Sequence, residues 1–268
     1  MNLVKSFLTK NPCYTANVQK ADSRYTTFQQ RGPQGLMLHS VGCAQPNAQV
    51  FINNWNNASY TYSCVHGIID ANTGTAYQLL PWNYRGWHGG GACNNTHVGV
   101  EMCESKYIRY LQPGEAGYAP AKFVVLDKAK AQADCKRCYD AAVELYASIC
   151  KEYNLDPLTD IVSHYEGGKK GIASGHGDPE HYWRGLGMSY TMDGFRADVK
   201  KAMTPPAPAH HPFEDVPDGK FFSDAVQWGW LHGIIDGKDE THFGPNDTCT
   251  RGQIITMIKR YHDEFGGD

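Results

Sequence analysis

Three residues that lie far apart in the chain, His39, His164 and Asp178, have side chains that could do chemistry together. Imidazole and carboxylate groups are zinc ligands, and hydrolytic zinc sites use three such ligands and leave one position for water. Zinc acidifies that water enough for it to act as a nucleophile near neutral pH. If the fold brings the three residues together, they indicate metal-assisted hydrolysis.

Short apolar segments place these residues at the ends of predicted strands. His39 and His164 each end such a strand, and Asp178 follows in a glycine-rich loop. Glu101 lies on a further buried strand, which we expect to neighbour both histidine-bearing strands. These strands are predicted over residues 35–41, 96–102 and 160–164.

The remaining pattern sets the fold class. Two more strands, joined by a turn at residues 72–74, are predicted as a hairpin over 64–70 and 76–80. Apolar residues recur at helical spacing over 127–153, which predicts a long helix. Strands and helices in this mixture predict an α/β fold, with a central mixed β-sheet flanked by helices.

Length and composition limit the number of domains and the classes of binding partner. The 268 residues suffice for one large domain with an appendage or for two domains. The net charge of −3 argues against nucleic acid as a partner. No apolar run is long enough for a membrane span, and the start of the chain lacks the apolar region of a signal peptide. We therefore expect neither nucleic-acid nor membrane binding.

An ordered set of motifs runs through residues 1–203. They are Gly35-Leu36-Met37-Leu38-His39-Ser40, Trp87-His88-Gly89-Gly90, Val98-Gly99-Val100-Glu101, Ser163-His164-Tyr165-Glu166 and Asp178-Pro179. The set resembles the zinc-dependent N-acetylmuramoyl-L-alanine amidases of type 2, a family related to peptidoglycan-recognition proteins and to many phage endolysins. The resemblance implies that residues 1–203 form an amidase catalytic domain.

The resemblance also implies a role for each site residue. His39, His164 and Asp178 would bind Zn²⁺, and Glu101 would act as general base on the zinc-bound water. The family usually has a lysine two positions before the third ligand, where this chain has His176. A protonated His176 could donate a hydrogen bond to the developing oxyanion. In the alternative arrangement His176 is the third ligand and Asp178 lies outside the metal's contacts.

Four further residues are predicted to bind substrate. His66 and His88 would line or support the cleft. Trp87 and Tyr77 could stack on a sugar or peptide, although a role in the core is equally compatible with their sequence positions.

The last part of the chain is predicted to be a small helical module. Prolines concentrate in residues 204–212, which favours an extended linker. Residues 213–268 resemble a single S-layer homology module, which implies binding of a secondary cell-wall polymer, through Asp215, Trp228 and Arg251. Because such binding units normally contain three repeats, one copy predicts a homo-oligomer.

Together these expectations define a function. The chain would hydrolyse the amide between N-acetylmuramic acid and L-alanine in peptidoglycan. Without a signal peptide it would stay in the cytoplasm until released to the cell wall, as phage or prophage endolysins do. The alternatives are a bacterial autolysin and a non-catalytic peptidoglycan-binding protein.

Overall fold

The computed structural model describes residues 2–203 and 210–266. Residues 204–209 of the predicted linker lie outside this part of the chain. The chain divides into two compact units, Met1–Thr204 and Pro205–Asp268. Each unit has its own apolar core, so each is described separately.

The first unit combines strands and helices throughout its length. The strands are β1 (Leu3–Lys5), β2 (Gly35–Ser40), β3 (Gly67–Ile69), β4 (Ala76–Gln78), β5 (His97–Met102), β6 (Ile108–Tyr110), β7 (Phe123–Val125) and β8 (Ile161–Ser163). The helices are α1 (Pro12–Gln19), α2 (Ser23–Arg31), α3 (Ala48–Trp55), α4 (Lys128–Tyr153), α5 (Pro157–Asp160), α6 (His164–Lys169), α7 (Glu180–Leu186) and α8 (Met192–Met203). A short 3-10 helix spans Ala92–Asn95.

Six strands form the main sheet in the order β1-β4-β3-β5-β2-β8. Strand β2 pairs in parallel with both β5 and β8, whereas β3 and β4 form an antiparallel hairpin. The predicted mixed sheet is therefore confirmed. One detail differs, because β5 neighbours β2 but not β8. Glu101 consequently has only one of the two histidine-bearing strands beside it.

Strand β2 lies between β5 and β8 inside the sheet, and its burial fits this position. All six of its residues are buried, as expected for a parallel strand that is covered on both faces. The long helix α4 contacts this strand directly, where the Tyr146 hydroxyl donates to the Met37 carbonyl at 2.8 Å. Asp127 caps the start of α4, and Asn154 ends it in the left-handed conformation. The predicted helix over 127–153 agrees with these bounds.

Within residues 210–266, the second unit contains two helices, α9 (Ser223–Leu231) and α10 (Arg251–Phe265). Its core includes the buried side chains of Phe213, Val216 and Val226. No helix within residues 2–203 or 210–266 has both the length and the apolar composition needed to span a bilayer. This unit is the small helical module expected from the sequence.

Candidate metal centre

The three proposed metal ligands meet at one edge of the main sheet. His39 is the next-to-last residue of β2, and His164 follows directly after β8. Because β2 and β8 are parallel, their carboxyl ends lie side by side, where ligands commonly bind in such sheets. Asp178 approaches from the loop before α7 and lies beside the backbone of Ser40, with Oδ2 3.4 Å from the amide nitrogen.

His164 begins a helix, which differs from the expectation that it ends a strand. Ser163 caps α6: its hydroxyl accepts from the Glu166 amide at 3.0 Å, and the Glu166 carboxylate accepts from the Ser163 amide at 3.1 Å. This reciprocal capping box fixes the first turn of the helix. The cap therefore sets the direction in which the His164 ring leaves the backbone.

The ligand atoms of the triad converge in a buried position. His39 Nδ1 lies 3.0 Å from His164 Nδ1. The Asp178 carboxylate is within 3.4 Å of His39 Nδ1 and 3.5 Å of His164 Nδ1. All three residues are buried, and their ligand atoms lie within 4.8 Å of one another.

The chemistry of this donor set fits a divalent cation. The Ser174 hydroxyl donates to the Gly89 carbonyl and lies 3.1 Å from His164 Nε2, so its oxygen accepts the Nε2 hydrogen. The His164 Nδ1 lone pair then faces the Asp178 carboxylate. Crowded lone pairs repel one another, and a cation relieves that repulsion. Two imidazole nitrogens and one carboxylate oxygen are a ligand set typical of zinc sites that keep an open position.

Glu101 lies beside the triad with a carboxylate oxygen free for another partner. It is the register partner of His39 across β5 and β2. Its Oε2 is buried and has no hydrogen-bond partner among the described residues. Burial raises the pKa of Glu101 well above its usual value, and the carboxylates of Asp178 and Glu104 raise it further. An unpaired basic oxygen thus borders the cleft.

His176 stays outside the triad. Its side chain is exposed, its Nδ1 lies 3.1 Å from Ser174 Oγ, and its ring packs 4.3 Å from that of His164. Asp178, which is buried, supplies the third converging ligand atom. The sequence left two ligand sets open, one with Asp178 and one with His176 as the third ligand. The structure brings together the ligand atoms of the set with Asp178.

His164 and Asp178 of the triad line a cleft of about 660 Å³, which two of the four predicted substrate-binding residues also line. Trp87 and His88 line it, together with Tyr62 and Tyr110. Trp87 also donates from Nε1 to the Tyr25 hydroxyl at 3.2 Å, so its ring orientation is fixed. This volume is within the usual range for small-molecule sites.

The other two predicted substrate-binding residues, His66 and Tyr77, lie elsewhere. His66 is fully buried, with Nδ1 accepting from the Gly99 amide at 3.0 Å and Nε2 donating to the Tyr84 carbonyl at 2.7 Å. Burial lowers its pKa to about 4, so it is a neutral core residue. Tyr77 lies on β4, which β3 and β5 separate from β2. Neither residue is among those that line the cleft, so their predicted contact with substrate stays a prediction.

Sequence reasoning missed three polar residues that border the cleft or support the triad. Tyr110 donates to Glu104 Oε2 at 2.7 Å and lies 2.9 Å from His181 Nε2. Ser174 contacts His164, as described above. His181 follows Asp178 by three residues, a spacing that could have suggested a shared site. Tyr110 and Ser174 had no such signal, since they depend on the path of their loops.

The proposed polymer-binding residues of the second unit have different surroundings. The Asp215 carboxylate accepts from the amides of Phe243 and Gly244, both at 2.8 Å, so it fixes that loop. Trp228 is 43% exposed and its ring stacks on Phe265 at 5.6 Å. Arg251 is exposed at the first position of α10. Trp228 and Arg251 are thus exposed to solvent, whereas each Asp215 oxygen already accepts one backbone hydrogen bond.

Comparisons with known families agree with the two units. A family model described as N-acetylmuramoyl-L-alanine amidase matches residues 29–181, which is more than half of the chain. A second model, described as S-layer homology domain, matches residues 212–255. Among curated proteins the comparison found no match. The first match contains all residues of the candidate metal centre.

Three solved structures are similar to this chain. The Staphylococcus aureus hydrolase AmiA, in complex with its ligand, is 17% identical, with a TM-score of 0.53 over 76% of this chain and 83% of that one. The PlyG catalytic domain is 18% identical, with a TM-score of 0.43 over 78% and 100%. PlyL is 20% identical, with a TM-score of 0.43 over 76% and 98%. The likeness to AmiA shows that the fold is shared.

Proposed function

Because the chain belongs to the N-acetylmuramoyl-L-alanine amidase family, we propose that the cleft binds zinc and cuts the amide between the lactyl group of N-acetylmuramic acid and L-alanine. The observation that supports this most directly is the convergence of His39, His164 and Asp178 beside an unpaired carboxylate oxygen of Glu101. A purely binding protein would have no need of this combination. Peptidoglycan amide hydrolysis is the family's reaction.

Each residue has a separate task in the proposed reaction. His39, His164 and Asp178 would hold zinc, which supplies Lewis acidity toward the scissile carbonyl and lowers the pKa of water. Glu101 accepts the proton from the attacking water, because its Oε2 borders the cleft and has no hydrogen-bond partner within residues 2–203 and 210–266. His176, exposed at the rim, donates a hydrogen bond to the oxygen on which negative charge develops.

Trp87 gives the cleft a surface for substrate. Its partly buried indole lines the cleft, and its hydrogen bond to Tyr25 holds it in one orientation. A fixed aromatic face can stack on a sugar ring or on an apolar side chain of the stem peptide. We therefore retain Trp87 as a substrate-binding residue.

The second unit would hold the enzyme on the wall. As an S-layer homology domain it suits binding of a secondary cell-wall polymer, with Trp228 and Arg251 as exposed contact residues. Its helix α10 also exposes apolar side chains, which another copy would cover in a homo-oligomer. They are Ile254, Ile255, Ile258, Tyr261 and Phe265. A monomeric mass by light scattering would contradict the oligomer.

The biological role that we propose is that of a phage or prophage endolysin. Such a protein would accumulate in the cytoplasm and reach the wall only at lysis. Its appearance solely after phage induction in the source strain would support this role. Constant presence at the wall of uninduced cells would instead indicate a bacterial autolysin.

Mass spectrometry of digested peptidoglycan tests the reaction. Purified Gram-positive walls should release stem peptides with a free N-terminal L-alanine, and a chelator should stop this until zinc is restored. An Asp178→Ala variant, which lacks the carboxylate ligand, should release none. Intact wall from several hosts after digestion by zinc-loaded protein would favour the non-catalytic binding protein.

A further inference from the structure

We propose that His88 is a positioning residue that fixes the tautomer of His39, so that the His39 Nδ1 lone pair faces Asp178. This inference rests on the metal site of the proposed function. It reassigns His88, which the sequence suggested as a substrate contact. Both of its ring nitrogens are already engaged within the protein, at 3.0 Å from His39 Nε2 and from the His97 carbonyl.

The direction of each hydrogen bond follows from the His97 carbonyl. A carbonyl oxygen only accepts, so His88 Nε2 must carry a hydrogen. A neutral imidazole has one N–H, which leaves His88 Nδ1 as an acceptor. The adjacent His39 Nε2 must therefore be the donor. A neutral His39 then has no hydrogen on Nδ1, the atom that lies 3.0 Å from His164 Nδ1.

The surroundings of His88 hold its ring in this position. Asn94 Oδ1 accepts from the backbone amides of both His88 and Gly89, each at 2.9 Å. Gly99, on β5, leaves the space that the ring occupies, since a Cβ there would be 2.4 Å from it. The ring thus fits between an anchored loop and a strand that tolerates no side chain at this point.

Fixing the tautomer matters because a metal binds the unprotonated nitrogen. Ligand histidines usually donate their other N–H to a carboxylate, a backbone carbonyl or water, and loss of that partner typically lowers metal affinity about 10- to 100-fold. In this chain the His88 imidazole accepts the N–H of His39 and donates its own N–H to the His97 carbonyl. His88 therefore acts on the metal through His39, without touching it.

Imidazole nitrogen spectra of the metal-free, ¹⁵N-histidine-labelled full chain at pH 8 test the inference without any metal. His39 resonances are assigned by their absence from a His39→Asn variant. We expect a hydrogen on His39 Nε2 and none on Nδ1. A hydrogen on Nδ1 of the neutral ring would overturn the proposal, whether or not the protein hydrolyses peptidoglycan.

Two variants separate positioning from mere packing. His88→Gln can still accept from His39 and donate to the His97 carbonyl, whereas His88→Leu can do neither. Competition with a chromogenic chelator should show zinc affinity about 10- to 100-fold lower for H88L and a smaller loss for H88Q. Tyr62→Leu, which alters the cleft without contacting His39 or His88, is the control and should bind like wild type.

The outcomes separate this inference from the proposed function. An H88L variant with unchanged His39 tautomer and unchanged zinc affinity would overturn the role of His88. The predicted tautomer and the affinity order wild type, H88Q, H88L would support it. If peptidoglycan stayed intact while these two results held, the proposed reaction would fail and the positioning role would stand.

Discussion

The Glu101 carboxylate has a raised pKa, but its proposed role as a base requires it to be ionised. Burial raises its pKa, and the charges of Asp178 and Glu104 add to the effect, yet a general base must be ionised at the working pH. A divalent cation in the adjacent triad would favour the ionised form. The raised intrinsic pKa then becomes useful, because it makes the oxygen a stronger proton acceptor.

Glu101→Gln separates metal binding from proton transfer. The amide keeps the size of the side chain but cannot accept a proton, so we expect kcat to fall by about 10²- to 10⁴-fold. Zinc content, measured by atomic absorption, should stay at the wild-type level because Glu101 is not in the ligand triad. A zinc-loaded variant with wild-type turnover would exclude Glu101 as the base.

Glu104 predicts a pH dependence of stability. Burial raises its pKa from 4.5 to about 7, although hydrogen bonds from the Tyr110 hydroxyl and the Gly42 amide act to lower it. The folded state thus holds this proton more tightly than the unfolded state does. The stabilising effect is complete below pH 4.5 and is lost as pH rises to 7, by up to about 3 kcal/mol.

A Glu104→Gln variant should lack this loss. Urea unfolding at pH 5 and pH 8 should show the free energy of unfolding of wild type falling relative to that of the variant, by about 3 kcal/mol at most. Other titrating groups are common to both proteins and cancel in the comparison. Parallel pH profiles for the two proteins would contradict the raised pKa.

Among individual residues, the sequence predicted those whose side-chain type is itself typical of a metal site. His39, His164 and Asp178 are ligand types in an ordered motif set. His66 was predicted to bind substrate, because sequence alone does not distinguish an imidazole that lines a cleft from one that is hydrogen-bonded in the core. Ser174 could not be found at all, since its contact with His164 depends on the path of the loop between α6 and α7.

Strand β5 is the element on which several parts of the site depend. It presents Glu101 beside His39 and, two residues earlier, leaves the space for the His88 ring at Gly99. One strand therefore positions both the proposed base and the support of a proposed ligand. A side chain at Gly99 would affect both at once.

Gly99→Ala tests this packing. The added Cβ would lie 2.4 Å from the His88 ring, so the ring or the strand must shift. Overpacking of this kind typically costs about 1–3 kcal/mol of unfolding free energy, measurable by urea denaturation. Gly175→Ala is the matched control, because a Cβ there meets nothing within 4 Å. Equal unfolding free energies of Gly99→Ala and Gly175→Ala would contradict the close packing of the His88 ring against Gly99.

Elements were more predictable than their order in the sheet. Strand β2 and helix α4 have clear apolar patterns and matched their predicted ranges closely. The start of α6 at His164 was missed, because the capping box of Ser163 and Glu166 turns the end of an apolar run into a helix. Periodicity also cannot show which strands pair, so the position of β5 beside only β2 needed the structure.

The whole molecule consists of two units with separate cores. Every residue of the candidate metal centre belongs to the first, and the S-layer homology match belongs to the second. Hydrolysis and wall retention should therefore be separable properties. The nine cysteines, seven of them buried, are all free thiols, so neither unit depends on a disulfide.

A chain ending at Met203 tests this separation. It should still release peptides from purified peptidoglycan, because the cleft is complete within the first unit. Its affinity for intact walls, measured by co-sedimentation, should fall by about 10²-fold or more, as expected when one of two linked binding modules is removed. Undiminished sedimentation would show that the second unit does not anchor the enzyme.

The distance along the chain between the proposed ligands has a thermodynamic consequence. His39 and His164 are 125 residues apart in sequence, so an unfolded chain cannot present them as one site. Zinc would then find this site only in the folded state and act as a reversible cross-link between β2 and the loops beside it. Free zinc at 100 times its dissociation constant would add at most about 2.7 kcal/mol to the unfolding free energy, since zinc bound by thiols of the unfolded chain subtracts from the effect. In calorimetry the unfolding temperature should therefore climb with each increase in zinc concentration and not level off at saturation.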